Sequence, residues 1–175
     1  MNYIKDINLF ENGFYNMIIE IPKGTNSKYE LVEPNNNEVK EVRKVIGKYP
    51  FYYGCFPQTY AGDRDPLDAI LLTKKKHAIL DVVKVQPIAV IKTIDHKEVD
   101  DKIICVDAYE EISKLEKLEK KVMKFLSTYK GKNSDTIIDK NIYLLEDTLN
   151  IINSANKNYL NNKAIKDSKS IKIDF

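Results

Sequence analysis

Three aspartates fall within six positions in DRDPLD, residues 63 to 68, and Pro66 fixes the backbone between the second and the third. Carboxylates this close repel one another, so they stay ionised only if solvated, hydrogen-bonded or held by a cation. A solvated surface turn is the simplest account of such a stretch. Its continuation argues for more, because the turn runs directly into AILL and sets Asp68 at the mouth of an apolar strand. A second acidic turn, IDHKEVDDK, puts Asp95 and Asp100 at the two ends of a hairpin between IAVIKTI and KIICVDAY. A calcium loop does not fit: the third Asp is displaced to Asp68, no Gly holds the sixth place, and Lys74 stands where a bidentate Glu belongs. Cys55 and Cys105 lie far apart with no C-x-x-C pair, and they read as buried free thiols. Hard carboxylate oxygens without a His or Cys set favour Mg²⁺, which keeps waters and takes substrate phosphates.

Cationic and phenolic residues recur near these acids: Lys28 and Tyr29 in SKYE, Arg43, Tyr53 in FYYG, Lys102, and Tyr129 with Lys130. Lysine offers a point charge to phosphate oxygens, arginine a bidentate fork, and tyrosine a hydroxyl donor. Singly, each reads as a solvated surface group. Together with a multi-carboxylate metal centre they point to a small, highly charged phosphate substrate.

The elements that position these groups divide the chain in two. From Phe14 to about Tyr109 the apolar residues form short β-branched or aromatic runs, FYNMIIEI, KYELVE, EVKEVRKVI, AILL, DVVKV, IAVIKTI and KIICVDAY, broken by turn residues. Closure of so many short strands into a small barrel removes their exposed edges. After Glu110 a helical period takes over, with Ile112, Leu115, Leu118, Val122, Phe125, Leu126 and Tyr129, and Ser113 with Glu116 fits a capping box. A second helical run holds Ile138, Ile142, Leu145, Leu149 and Ile152 and extends to about Leu160. The expectation is a single α+β domain over 1–175: a small closed barrel at about 14–110, flanking C-terminal helices at about 111–160, and a loose tail at 161–175.

At 175 residues the chain suits one buried core. Its 28 Lys and Arg against 26 Asp and Glu, a net +2, argue against bulk duplex nucleic acid as a partner. The first residues lack an apolar signal-like core and nowhere do about 18 apolar residues run together, which reads as a cytoplasmic protein with no membrane partner. His77 and His96 read as surface residues.

The acidic turn and the strand after it resemble the signature of the soluble, magnesium-dependent inorganic pyrophosphatases. IIEIPKGTNSKYE, YGCFPQTY, DHKEVDDK and STYKGK match that family in the same order, over about residues 14 to 132. The resemblance implies a closed barrel of the OB type and hydrolysis of pyrophosphate to two phosphates by direct attack of a metal-activated water. It implies Asp63, Asp68 and Asp100 as ligands of the principal ions, with Asp68 shared, and Asp95 with Asp100 for an ion arriving with substrate. Glu20 acts close to the metals or through water, and Asp65 is the general base. Lys28, Arg43, Tyr53, Lys102, Tyr129 and Lys130 contact phosphate, with Glu30 in support. Several Mg²⁺ per site are implied, with Mn²⁺ or Zn²⁺ as substitutes, and a homo-oligomer, commonly a hexamer. The chain departs from the pattern at Arg64, where a small residue is common, and in the shorter stretch from Arg43 to Tyr53, which leaves Lys40 or Lys44 as alternatives to Arg43. Asn133 replaces an aromatic residue after GK, and there is no Trp. Two rival readings share parts of this pattern: an OB-type module for single-stranded nucleic acid, which the 11 Tyr allow, and a metal-dependent hydrolase of nucleotides or short polyphosphates.

Overall fold

The computed structural model describes residues 1–110, 115–132 and 134–170. In chain order its elements are α1 (Tyr3–Asp6), β1 (Phe10–Glu11), β2 (Phe14–Ile21), β3 (Ser27–Leu31), β4 (Val39–Lys44), β5 (Tyr52–Cys55) and β6 (Asp68–Leu72), then β7 (Val82–Asp95), β8 (Glu98–Val99), β9 (Lys102–Asp107), α2 (Leu115–Leu126), β10 (Ile137–Tyr143) and α3 (Leu145–Ser170).

The run MIIEI in β2 does not alternate because both of its faces are covered, and every residue from Met17 to Ile21 is buried. β2 pairs antiparallel with β5 and β7, β5 with β6, and β9 with β7, while β6 and β9 run parallel. The path of pairings therefore leaves β2 and returns to it, so these five strands share their edges with one another. One face of the strands packs Met17, Ile19, Leu71 and Ile103 against Ile152 and Ala155 of α3. The other packs Ile21, Ile70, Ile91 and Ile104 against Val122, Phe125 and Leu126 of α2. β3 and β4 form a separate two-stranded ribbon. The result is a mixed sheet with α1 before it in the chain, α2 before its last strand β10, and α3 after it. Among the described residues no helix is long and apolar enough to cross a membrane.

Several sequence expectations change. Ile138 and Ile142 belong to strand β10, not to a helix: Ile138 pairs with Thr93 and Ile142 with Ile91 across a register shift. That irregularity produces a spacing of four, which periodicity alone cannot separate from a helical turn. The strand pairs along β7, and α3 starts only at Leu145. The helix then runs through 161–170, where a loose tail was expected. DVVKV and IAVIKTI are one strand, β7, with a register shift at Pro87 that accommodates the residue lacking an N–H. Tyr52–Cys55, in none of the expected strands, is β5. Ile112, Ser113 and Asn133 lie outside the described residues, and so does the capping box.

Gly54 lies where β5 crosses β2. A Cβ there would fall 1.8 Å from the Ile18 carbonyl oxygen, a backbone atom that cannot swing away. Gly54→Ala is expected to cost at least about 3 kcal/mol by forcing the two strands apart. Urea denaturation checks this, and a midpoint equal to wild type would show that the ladder yields cheaply.

Candidate active site

The parallel pairing of β6 with β9 sets Asp68 directly opposite Lys102. The Lys102 side chain is 4% exposed, and its ammonium donates to Asp68 Oδ2 at 2.5 Å and to Asp100 Oδ1. Tyr53, brought alongside by the β5–β6 ladder, donates its hydroxyl to the same Asp68 oxygen at 2.5 Å. A buried ammonium with two carboxylates keeps its charge: burial pulls its pKa down, but Asp68 and Asp100 outweigh burial and raise it. Burial also opposes ionisation of Asp68, yet Lys102 and the Tyr53 hydroxyl hold its pKa below the usual carboxylate range. Asp100, desolvated and facing the Asp68 charge, is raised instead. Of the two, Asp68 is the stronger acid.

Around this centre lies a cavity of about 460 Å³. Glu20, Glu30, Glu33, Asp63, Asp65, Asp68, Asp95 and Asp100 line it, against Lys28, Lys40, Lys102 and Lys130. Acids thus outnumber lysines two to one. β2 contributes Glu20, whose Oε1 accepts the Leu31 N–H at 3.0 Å. Burial first, then the Asp68 charge, push Glu20 up to about 8. β3 contributes Lys28 and Glu30, paired at 2.5 Å. The end of β7 contributes Asp95, whose two oxygens accept from Lys130 at 2.6 Å and Thr136 at 2.7 Å. These hydrogen bonds override desolvation and hold Asp95 low. Tyr129 and Tyr49 stand at 6.3 Å between ring centroids at the aromatic wall. Burial raises both phenols, Tyr129 to about 12, so they remain hydroxyl donors at neutral pH.

Asp63 and Asp65 sit on a turn closed by Ala61 N–H to Asp65 O at 2.8 Å, with the Asp65 N–H given to Asp63 Oδ1 at 3.0 Å. Burial, and then Asp63 and Asp68, raise the Asp65 pKa, which suits a base that must hold and release a proton. The turn is braced from behind. Thr59 accepts the Leu67 N–H at 2.9 Å, Tyr60 N–H donates to Ala155 O on α3 at 2.9 Å, and Asn156 donates to Gln58 O at 2.7 Å. Arg64 sits at φ 69° in an exposed position, where its N–H bonds Ala61 O at 3.1 Å.

Every acid, lysine and tyrosine singled out from the sequence lines this cavity, with Tyr29 among them. Arg43 is not in the lining; its guanidinium lies over the Tyr129 ring, 5.4 Å from the centroid. Of its alternatives, Lys40 lines the cavity, while Lys44 is tied to Ser27 at 2.6 Å and Glu41 at 3.0 Å. His96 is exposed, and His77 is largely covered against Tyr52. Tyr49, Glu33, Asn36 and Cys55 line the cavity without having been picked out as site residues. Nothing in the local pattern around them signals chemistry; the YPFYYG run hints only at an aromatic wall.

The donor set suits a hard divalent cation. It is all oxygen, since burial holds the Cys55 thiol protonated, and eight carboxylates gathered against four lysines call for more positive charge. Among the described residues no three acids converge closely enough, as they stand, to hold an ion. The lysines stand between them: Lys102 separates Asp68 from Asp100, and Lys130 occupies Asp95.

Residues 17–160 match the family model described as inorganic pyrophosphatase. An inorganic pyrophosphatase of Nanoarchaeum equitans is 35% identical over 154 residues, covering 81% of this chain and 94% of the relative. One of Methanosarcina acetivorans is 32% identical over 164 residues, covering 88% and 97%. The crystal structure of inorganic pyrophosphatase from Thermus thermophilus superposes with a TM-score of 0.79 at 26% identity, covering 90% of this chain and 98% of that one.

A carboxyl raised by folding retains a proton that the unfolded chain has released. Stability from this source is full below about pH 4 and is lost as pH rises through the folded value, which for Glu20 is about 8. Glu20→Gln removes it. In chelator, the thermal midpoint of the variant is expected to gain on wild type as pH goes from about 5 to about 8. A constant difference over that range would show that Glu20 does not titrate there.

Proposed function

The chain belongs to the inorganic pyrophosphatase family, it hydrolyses pyrophosphate to phosphate, and from that premise we propose how its cavity does so. The observation that carries the mechanism is a cavity lined by eight carboxylates against four lysines, with Lys102 held between Asp68 and Asp100. The family is metal-dependent. Bound Mg²⁺ ions supply charge neutralisation and an activated water for direct attack on phosphorus.

Asp63, Asp68 and Asp100 would hold the principal ions, with Asp68 shared; Asp95 and Asp100 would serve the ion that comes with substrate, and Glu20 would act through water. Asp65 accepts the proton of the attacking water, and its raised pKa supports that role. Lys28, Lys102 and Lys130, now paired with Glu30, with Asp68 and Asp100, and with Asp95, would turn to phosphate oxygens where cations offset those carboxylates. Tyr53 and Tyr129 donate their hydroxyls, Arg43 approaches over the Tyr129 ring, and Glu30 steadies Lys28. Charge stabilisation and positioning of this kind carry phosphoryl transfer. The OB-type closed barrel belongs to the same reading and is supported by the ring of pairings from β2 back to β2. So does a cytoplasmic homo-oligomer, a hexamer, supported by the buried free thiols and by the exposed Ile94, Val99 and Ile137 on one face.

Phosphate release from pyrophosphate is expected with Mg²⁺ and not with chelator. Asp65→Asn is expected to keep the fold and lose about 10²- to 10⁴-fold in kcat; turnover near wild type would remove Asp65 from the base role. For Asp68→Asn the Mg²⁺ titration is expected to move to higher concentration as well. An unchanged titration would refute shared ligation.

A further inference from the structure

Gly62 immediately precedes Asp63, and Val99 immediately precedes Asp100. These two residues, on separate turns, meet. A Cβ on Gly62 would lie 3.0 Å from Val99 Cβ, 3.0 Å from the Val99 carbonyl oxygen and 3.6 Å from Val99 Cα. The glycine is not there for its backbone: its φ is outside the left-handed region that sets Gly24, Gly47 and Gly131 apart. What the position requires is the absence of a side chain.

Neither turn can yield freely. The first is closed by the Ala61–Asp65 and Arg64–Ala61 backbone bonds at 2.8 and 3.1 Å and braced by α3. The second is closed by the Ile94–Val99 pairing and by Asp100 N–H to Thr93 O at 2.9 Å, with Asp101 accepting the Thr93 N–H at 3.1 Å. An added methyl must therefore displace one backbone relative to the other by a few tenths of an ångström, and that displacement passes to the adjacent aspartate.

We infer that Gly62 is a positioning residue: its bare backbone seats the DRDPLD turn on Val99 and so fixes the separation of Asp63 from Asp100. The inference rests on the reading of both aspartates as ligands of the principal ions. A misplacement of about 1 Å costs on the order of 10²-fold in rate, so a shift of a few tenths of an ångström costs several-fold. Gly62 and Val99 are both exposed, so the fold does not hang on the contact.

The test is Gly62→Ala, alone and combined with Val99→Gly or Val99→Ala, assayed for kcat, Mg²⁺ half-saturation and thermal midpoint in chelator. The single variant is expected to lose several-fold in kcat, to need more Mg²⁺, and to melt close to wild type without metal. Adding Val99→Gly, which deletes one of the two close contacts, is expected to recover part of the loss. Val99→Ala keeps that Cβ and is expected to recover none. Wild-type kcat and Mg²⁺ dependence in Gly62→Ala would overturn the inference, as would equal rescue by both Val99 changes or a metal-free midpoint that falls with the activity. A wild-type protein without Mg²⁺-dependent phosphate release would sink the metal reading itself, and the seam with it; active wild type beside an indifferent Gly62→Ala sinks only the seam.

Discussion

A buried ammonium between two carboxylates is the interaction on which the rest of this site depends. Lys102 is nearly inaccessible and would cost several kcal/mol to bury alone. Asp68 and Asp100 make its burial tolerable, and it makes theirs tolerable in turn. The arrangement exists because β6 and β9 run parallel, with Asp68 in register with Lys102. Parallel neighbours cannot be joined by a tight hairpin, so the chain travels through β7 and β8 between them. That excursion delivers Asp95 and Asp100 to the same cavity.

One lysine does not balance so many acids. Folding raises the pKa of Glu20 and Asp100, and Asp95 is held by Lys130 and Thr136. Four lysines offset only part of the charge of eight acids, and divalent cations can offset the rest. On the proposed reading the cavity's lysines are the groups that contact phosphate, so metal binding and release of those side chains would be linked by charge. The turn around Asp63 and Asp65 is braced by hydrogen bonds with α3 and Thr59.

Much of the site was legible in the chain because its chemistry is concentrated in short polar stretches. DRDPLD and DHKEVDDK carry their acids within a few residues, and both run into apolar strands, so their place at a strand mouth could be read without coordinates. Lys28, Tyr53, Tyr129 and Lys130 were assigned by order and company, and all four line the cavity. Arg43 was less readable. Its ribbon, β3 and β4, has a register shift between Lys28 and Tyr29, and such a shift decides which of Lys40, Arg43 and Lys44 turns inward. Strand β10 was misread for a related reason: a register shift spaces its apolar residues as a helix would.

The sequence by itself determined the donor chemistry, hard oxygens beside lysines and phenols, because side-chain identity fixes charge and ligand hardness whatever the fold. It also determined that short strands dominate the chain up to about Tyr109, though not the strand β10 that follows α2. Only the tertiary structure decided which acids share a cation, which hold protons, and where Gly62 meets Val99. Those outcomes depend on strand register, burial and through-space distance between residues far apart in the chain, and none of these is a property of a local stretch.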